Sequence, residues 1–186
     1  MTNPAPRAAI LLADGFEEIE AITLVDVLRR ADIDVTLLGV FGLEATGAHG
    51  VRVGADAQLA DIGDLAFDAV VLPGGMPGAK HLRDHSGVQA LLARQSQAGG
   101  LLAAICAAPM ALGRAGALQG HAATCYPGFE DQLIGATVLA QAVVEDRQVV
   151  TSRGPGTAIA FALALVRRLR GEGVAASVAA QLLVAG

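Results

Sequence analysis

Short apolar runs alternate with stretches of helical period along this chain. Residues 8–13 are a continuous apolar run, the pattern of a strand covered on both faces. Residues 16–31 carry apolar positions at helical spacing, and residues 35–40 return to an apolar run. Residues 49–53 and 55–59 read as two short hairpin-type strands. A third core strand over 69–72 stops abruptly at Pro73-Gly74-Gly75. Helix follows through Leu82 and again over 85–97. The fourth core strand covers 101–105, with a helix over 107–115 and a short strand at 121–124. A late strand covers 149–152, followed by helices over about 157–170 and 173–184. Residues 1–7 read as a short tail on a single domain spanning 1–186.

This alternation predicts an α/β fold, a mostly parallel sheet with helices on both faces. Sites in such sheets lie beyond the carboxyl ends of the strands. Three strand ends therefore matter: Asp14-Gly15, Gly74-Gly75 and Cys106.

Cys106 follows an apolar strand directly and precedes Ala107-Ala108-Pro109. Proline is tolerated in a first helical turn, so the thiol is expected at a helix N-terminus. There the helix dipole and free amides favour a nucleophilic thiolate. Position alone fits a buried, inert cysteine equally well. Cys125, between a short strand and Tyr126-Pro127, reads as structural.

On a helical wheel Leu24, Val27, Leu28 and Ala31 share one arc, opposite Asp26, Arg29 and Arg30. Glu18 falls with the charged residues, but Glu20 falls in the apolar arc. A buried carboxyl must be paired or protonated. A protonated Glu20 facing Cys106 would serve as general acid and base; a Glu20 at a rim would simply meet solvent. Gly74-Gly75 offers a tight turn with exposed amides, suited to an oxyanion hole together with the amide of Ala107, or merely an ordinary loop. In Ser152-Arg153-Gly154-Pro155-Gly156-Thr157, amides and Arg153 suit an anion, while Ser152 and Thr157 suit plain capping. His49, His81, His85 and His121 show no metal-ligand spacing, and no dinucleotide or P-loop pattern is present. No metal or cofactor is therefore expected.

Composition narrows the function classes. Of 186 residues, 53 % are hydrophobic and 17 % charged, with a net charge of −5 and no basic run. Nucleic acid and acidic membrane surfaces are unsuitable partners for such a chain. The sequence carries no secretory signal pattern and only two cysteines, which points to free thiols and a cytoplasmic setting.

Four segments together resemble the DJ-1/ThiJ/PfpI superfamily, in its compact ThiJ-like (DJ-1-like) branch. They are Asp14-Gly15-Phe16-Glu17-Glu18-Ile19-Glu20, Val70-Val71-Leu72-Pro73-Gly74-Gly75, Ala103-Ala104-Ile105-Cys106-Ala107, and Thr151 through Thr157. The resemblance covers nearly the whole chain. It implies a flavodoxin-like three-layer sandwich, usually a homodimer, working without a cofactor. It also implies that Cys106 is the elbow cysteine, Glu20 the acid protonated against it, and Gly75 and Ala107 the amide donors. Gly74, Tyr126, Arg153 and Pro155 are the expected lining. Family activities include a cofactor-independent glyoxalase, a deglycase-like repair of glycated material, and redox sensing through a cysteine sulfinic acid. A small aldehyde or glycated substrate is the implied partner. Two departures stand out. Related peptidases carry His directly after the elbow cysteine, where this chain has Ala107. Many ThiJ-like members carry His at the slot of Tyr126, and tyrosine, with an ordinary pKa of about 10, is a poorer proton carrier near neutrality.

Overall fold

Alternate residues of the central strands face opposite ways, and each set meets its own layer of helices. In the computed structural model, which describes residues 4–184, the first strand is β1 (Arg7–Leu12). Its Ala8, Ile10 and Leu12 join one buried cluster, while Ala9 and Leu11 join the other. The chain continues through α1 (Glu18–Arg30), β2 (Asp34–Gly39), β3 (Glu44–Thr46), β4 (Arg52–Gly54) and β5 (Ala57–Gln58). Next come β6 (Ala69–Leu72), α2 (Gly78–Asp84), α3 (Ser86–Gln97), β7 (Leu101–Ile105) and α4 (Pro109–Arg114). It closes with β8 (Ala122–Ala123), β9 (Thr137–Val138), β10 (Val143–Asp146), β11 (Val149–Ser152), α5 (Ala158–Arg170) and α6 (Glu172–Gln181).

Seven strands form one sheet in the order β10-β11-β7-β6-β1-β2-β5. Every pair is parallel except β10 with β11. Leu24 and Leu28 of α1, Phe161 and Leu165 of α5 and Val178 of α6 cover one face. Leu82 of α2, Leu92 of α3 and Leu112 of α4 cover the other. The architecture is a flavodoxin-like α/β sandwich. From β1 the strand order runs one way to β2 and the other way to β6, so the ends of β1 and β6 lie side by side at a reversal of strand order. Such a crevice is where open parallel sheets place their sites. Among the described residues no helix is long and apolar enough to cross a membrane.

Several boundaries differ from the sequence pattern. The hairpin expected over 49–53 and 55–59 does not form. Instead β3 pairs antiparallel with β4, and β5 joins the main sheet parallel to β2. These short segments are Gly-rich and half exposed, and such strands specify their register weakly. β10 is an additional edge strand on β11. β1 begins at Arg7, inside the stretch read as a tail, and the Pro6 carbonyl accepts a hydrogen bond from the Asp34 N–H. Residues 1–3 of that tail lie outside the described residues.

Candidate active site

β7 runs straight into Cys106, whose backbone turns into the left-handed region at φ +64°. Such a turn costs a residue with a side chain about 1–2 kcal/mol, so neighbouring bonds must impose it. Two do. The Cys106 N–H donates to the Ser152 carbonyl at 2.9 Å, and the Cys106 carbonyl accepts from the Tyr126 N–H at 2.8 Å. The sequence placed Cys106 directly at a helix start. Instead α4 begins only at Pro109, after a turn in which the Ala108 N–H donates to the Ile105 carbonyl at 3.0 Å.

Glu20 sits in the first turn of α1 and is fully buried, so its solvent-facing alternative does not hold. Its Oε2 accepts the Gly74 N–H at 2.7 Å. Its Oε1 is buried with no hydrogen-bond partner among the described residues. Gly74 is where the two reactive groups meet. A Cβ there would lie 2.6 Å from the Cys106 Cβ and 2.8 Å from Glu20 Oε2. Gly75, at φ +87°, needs the freedom of glycine to turn away from β6.

The charges of this pocket oppose one another. Burial raises Glu20 to about 7, against the Gly74 hydrogen bond and the Cys106 contact, with the charge of Glu17 adding to the rise. Burial, then the charge of Glu20, pushes Cys106 up to about 12. Hydrogen bonds from the Gly75 and Ala107 amides pull it down, but by less. Desolvation and the Glu20 charge thus oppose the expected thiolate. The helix expected to stabilise it is six residues long and starts two residues late, and desolvation outweighs two amides.

Tyr126, Arg153 and Pro155 come together in a cavity of about 330 Å³. The Tyr126 ring lies on Gly154, where a Cβ would come within 3.1 Å of its Cδ2. Ser152 and Thr157 shape that loop from below. Their hydroxyls are 2.6 Å apart, and Thr157 Oγ1 lies 3.1 Å from the Gly154 N–H. Cys125 is buried beside a smaller cavity of about 140 Å³ that Arg153 and Glu130 also line. Burial, then Glu130, pushes its thiol up to about 11, with Arg153 and the Phe129 amide opposing. A larger cavity of about 810 Å³ lies at the amino ends of β1 and β7, around Arg7 and Leu101, away from Cys106.

The histidines resolve individually. His121 is buried, with Nδ1 3.2 Å from the Asp146 carbonyl. His85 caps α3 by accepting the Val88 N–H, and the edges of His81 and His85 meet Phe41. His49 holds a surprise for the sequence reading. Folding brings its ring and the carboxylates of Glu17 and Glu18 within 4.8 Å of one another. Glu18 accepts the His49 N–H at 2.7 Å and lies 3.0 Å from His49 Nδ1, which clips the loop between β3 and β4 to the start of α1. No spacing rule finds this group, because hairpin and helix meet only in the fold.

The model of the DJ-1/PfpI family matches residues 6–168. The chain is 44 % identical over 181 residues to protein dj-1beta of Drosophila melanogaster, covering 96 % of this chain and 97 % of that one. The crystal structure of Drosophila melanogaster DJ-1beta superposes with a TM-score of 0.94, at 41 % identity over 98 % of this chain and 100 % of that chain. Identity to the glutathione-independent glyoxalase DJR-1.2 of Caenorhabditis elegans is 36 % over 171 residues, covering 90 % of this chain and 91 % of that one. Protein DJ-1 homolog B of Arabidopsis thaliana is 40 % identical over 189 residues, or 99 % of this chain, which spans only 43 % of the plant protein's length.

Proposed function

Because the chain belongs to the DJ-1/PfpI family, we propose that it is a cysteine-dependent carbonyl-stress protein acting on α-oxoaldehydes or their glycation adducts through Cys106. The observation that carries this reading is the buried Glu20 carboxyl, held by Gly74 against the Cys106 turn and poised at about 7. A carboxylate of that pKa is half ionised near neutrality and suits proton transfer in both directions. The likeness to a glutathione-independent glyoxalase supports the same reaction class.

The Glu20 carboxylate takes the thiol proton as the Cys106 sulfur bonds to the aldehyde carbon. The amides of Gly75 and Ala107 meet the alkoxide that forms, and Glu20 returns the proton to it. The product is a hemithioacetal. Glu20, again a carboxylate, moves the proton on the former aldehyde carbon to the adjacent carbon through an enediolate, while the hydroxyl proton passes from the former aldehyde oxygen to the former ketone oxygen. A thioester of a 2-hydroxy acid results. Water cleaves the sulfur–carbon bond, releasing the acid and the thiol. No cofactor enters this sequence. Ala107 in place of a histidine argues against a peptidase, and Tyr126 argues for slow turnover.

Lactate formation from methylglyoxal tests the reading. Wild type should turn over and Cys106→Ser should not. Equal inactivity of both on methylglyoxal, glyoxal and glycated thiols would remove it.

A second reading, a stress sensor without turnover, is favoured by the unpartnered Oε1 of Glu20. Two equivalents of peroxide would convert the thiol to a sulfinate and release two waters. A protonated Glu20 would then donate to a sulfinate oxygen. A stable gain of two oxygens on Cys106 without aldehyde turnover selects this reading. A cytoplasmic homodimer is proposed in either case.

A further inference from the structure

Arg153 is a half-buried cation without an ion-pair partner among the described residues. Among the described residues no carboxylate lies within 4.0 Å of its guanidinium, and its side chain makes no hydrogen bond. Arg153 borders two cavities, the 330 Å³ space beside Tyr126 and the 140 Å³ space beside Cys125.

The acid nearest this pair of cavities does not serve as its partner. Glu130 lines the smaller cavity, but it is exposed and its Oε2 accepts the Gly128 N–H at 2.7 Å. The larger cavity is lined by no acid at all. Its walls carry the phenol of Tyr126 and the Arg153 guanidinium, neither with a hydrogen-bond partner among the described residues, together with Pro127 and Pro155; the Thr157 hydroxyl is already engaged by Ser152 and the Gly154 carbonyl. Donors with no competing acceptor suit a small anion.

This space adjoins the nucleophile. Tyr126 at one wall bonds to the Cys106 carbonyl, and Ser152, which precedes Arg153, accepts the Cys106 N–H. We infer that the Tyr126–Arg153 cavity is a recognition subsite for a carboxylate or phosphate group carried by the molecule that Cys106 attacks. The inference deepens the proposed function and rests on Cys106 as the nucleophile. It narrows the substrate from any α-oxoaldehyde to one bearing an anionic group, such as an adduct on a free amino acid or a sugar phosphate fragment. Arg153 does not touch the reacting atoms, so its part is selection and positioning.

Alkylation of Cys106 tests this without aldehyde turnover. Iodoacetate carries a carboxylate next to its reacting carbon, and iodoacetamide is its neutral counterpart. Rates are read at Cys106 by peptide mass, apart from Cys125, in wild type and Arg153→Gln. The expected result is a fall of about tenfold in the iodoacetate-to-iodoacetamide ratio in the variant, with the iodoacetamide rate unchanged. Protection of wild-type Cys106 from iodoacetamide by inorganic phosphate or by pyruvate then names which anion the subsite takes. An unchanged ratio overturns the inference, whether or not the protein turns over aldehydes. A lowered ratio sustains it even if methylglyoxal is no substrate, so the two readings fail separately.

Discussion

The Glu20 carboxylate makes a charge on the Cys106 thiol more costly, while contact with the thiol eases the charge on Glu20. Both are packed against Gly74, and burial raises Glu20 to about 7 and, with the charge of Glu20, Cys106 to about 12. A thiol in such a place is inert until its proton has somewhere to go. Glu20 is the acceptor within reach, so proton transfer and carbon–sulfur bond formation are coupled.

Replacing Glu20 with Gln keeps an acceptor for the Gly74 N–H and removes the base. Cys106 alkylation at pH 7 should slow by about 100-fold, the usual scale of a general base. The variant should recover at high pH as the thiol ionises by itself. Alkylation rates across pH 5–11, followed by mass, check this. Superimposable profiles for wild type and variant would remove Glu20 from the chemistry.

Stability carries the same signature. Glu20 rises from an ordinary 4.5 to about 7 on folding, so the folded state keeps a proton that the unfolded chain releases. Stability is full below about pH 4.5 and falls as pH rises to about 7, by about 3 kcal/mol in total. Urea titrations at pH 5 and pH 8 should show this loss in wild type and little of it in Glu20→Gln.

The legible part of the site lay where one physical pressure acted alone. Continuous apolar runs marked β1, β6 and β7, because each is buried on both faces, and the glycines and cysteine at their ends followed from that. Glu20 stood out because a charged residue interrupts an apolar arc. What escaped the sequence depended on competition. Helix dipole and amides argued for a thiolate at Cys106, and burial together with the Glu20 charge opposes it. The β3–β4 register and the Glu18–His49 clip depend on contacts between segments that no local period encodes. The left-handed turn at Cys106 is imposed by Ser152 and Tyr126, distant in the chain.

A homodimer should form through the outer face of α1. Ile19 and Ile22, one turn apart, are 58 % and 45 % exposed, and Val51 beside them is 51 % exposed. The Val51 N–H is tied to Glu18 at 3.3 Å, so the three form one patch. Apolar patches of this kind on small proteins mark contact surfaces. Sedimentation should give a dimer for wild type and a monomer for Ile22→Asp with unchanged circular dichroism. A monomeric wild type would exclude the interface.

Gly74 offers the sharpest steric test. An alanine there would place its Cβ 2.6 Å from the Cys106 Cβ and 2.9 Å from the Ile105 carbonyl oxygen. Both are fixed atoms rather than the tips of flexible side chains, so either the β6 end or the Cys106 turn must move. A cost of about 1–3 kcal/mol follows from overpacking of this kind. Moving the turn also separates Glu20 from the thiol, so alkylation of Cys106 at pH 7 should slow along with the loss of stability. Gly42→Ala is the matched control. Its added Cβ meets nothing within 4 Å, and its backbone lies outside the left-handed region, so both readouts should stay at wild-type values. Normal stability and thiol reactivity in Gly74→Ala would mean that the Glu20–Cys106 contact tolerates a displaced β6 end, and that Gly74 does not set its geometry.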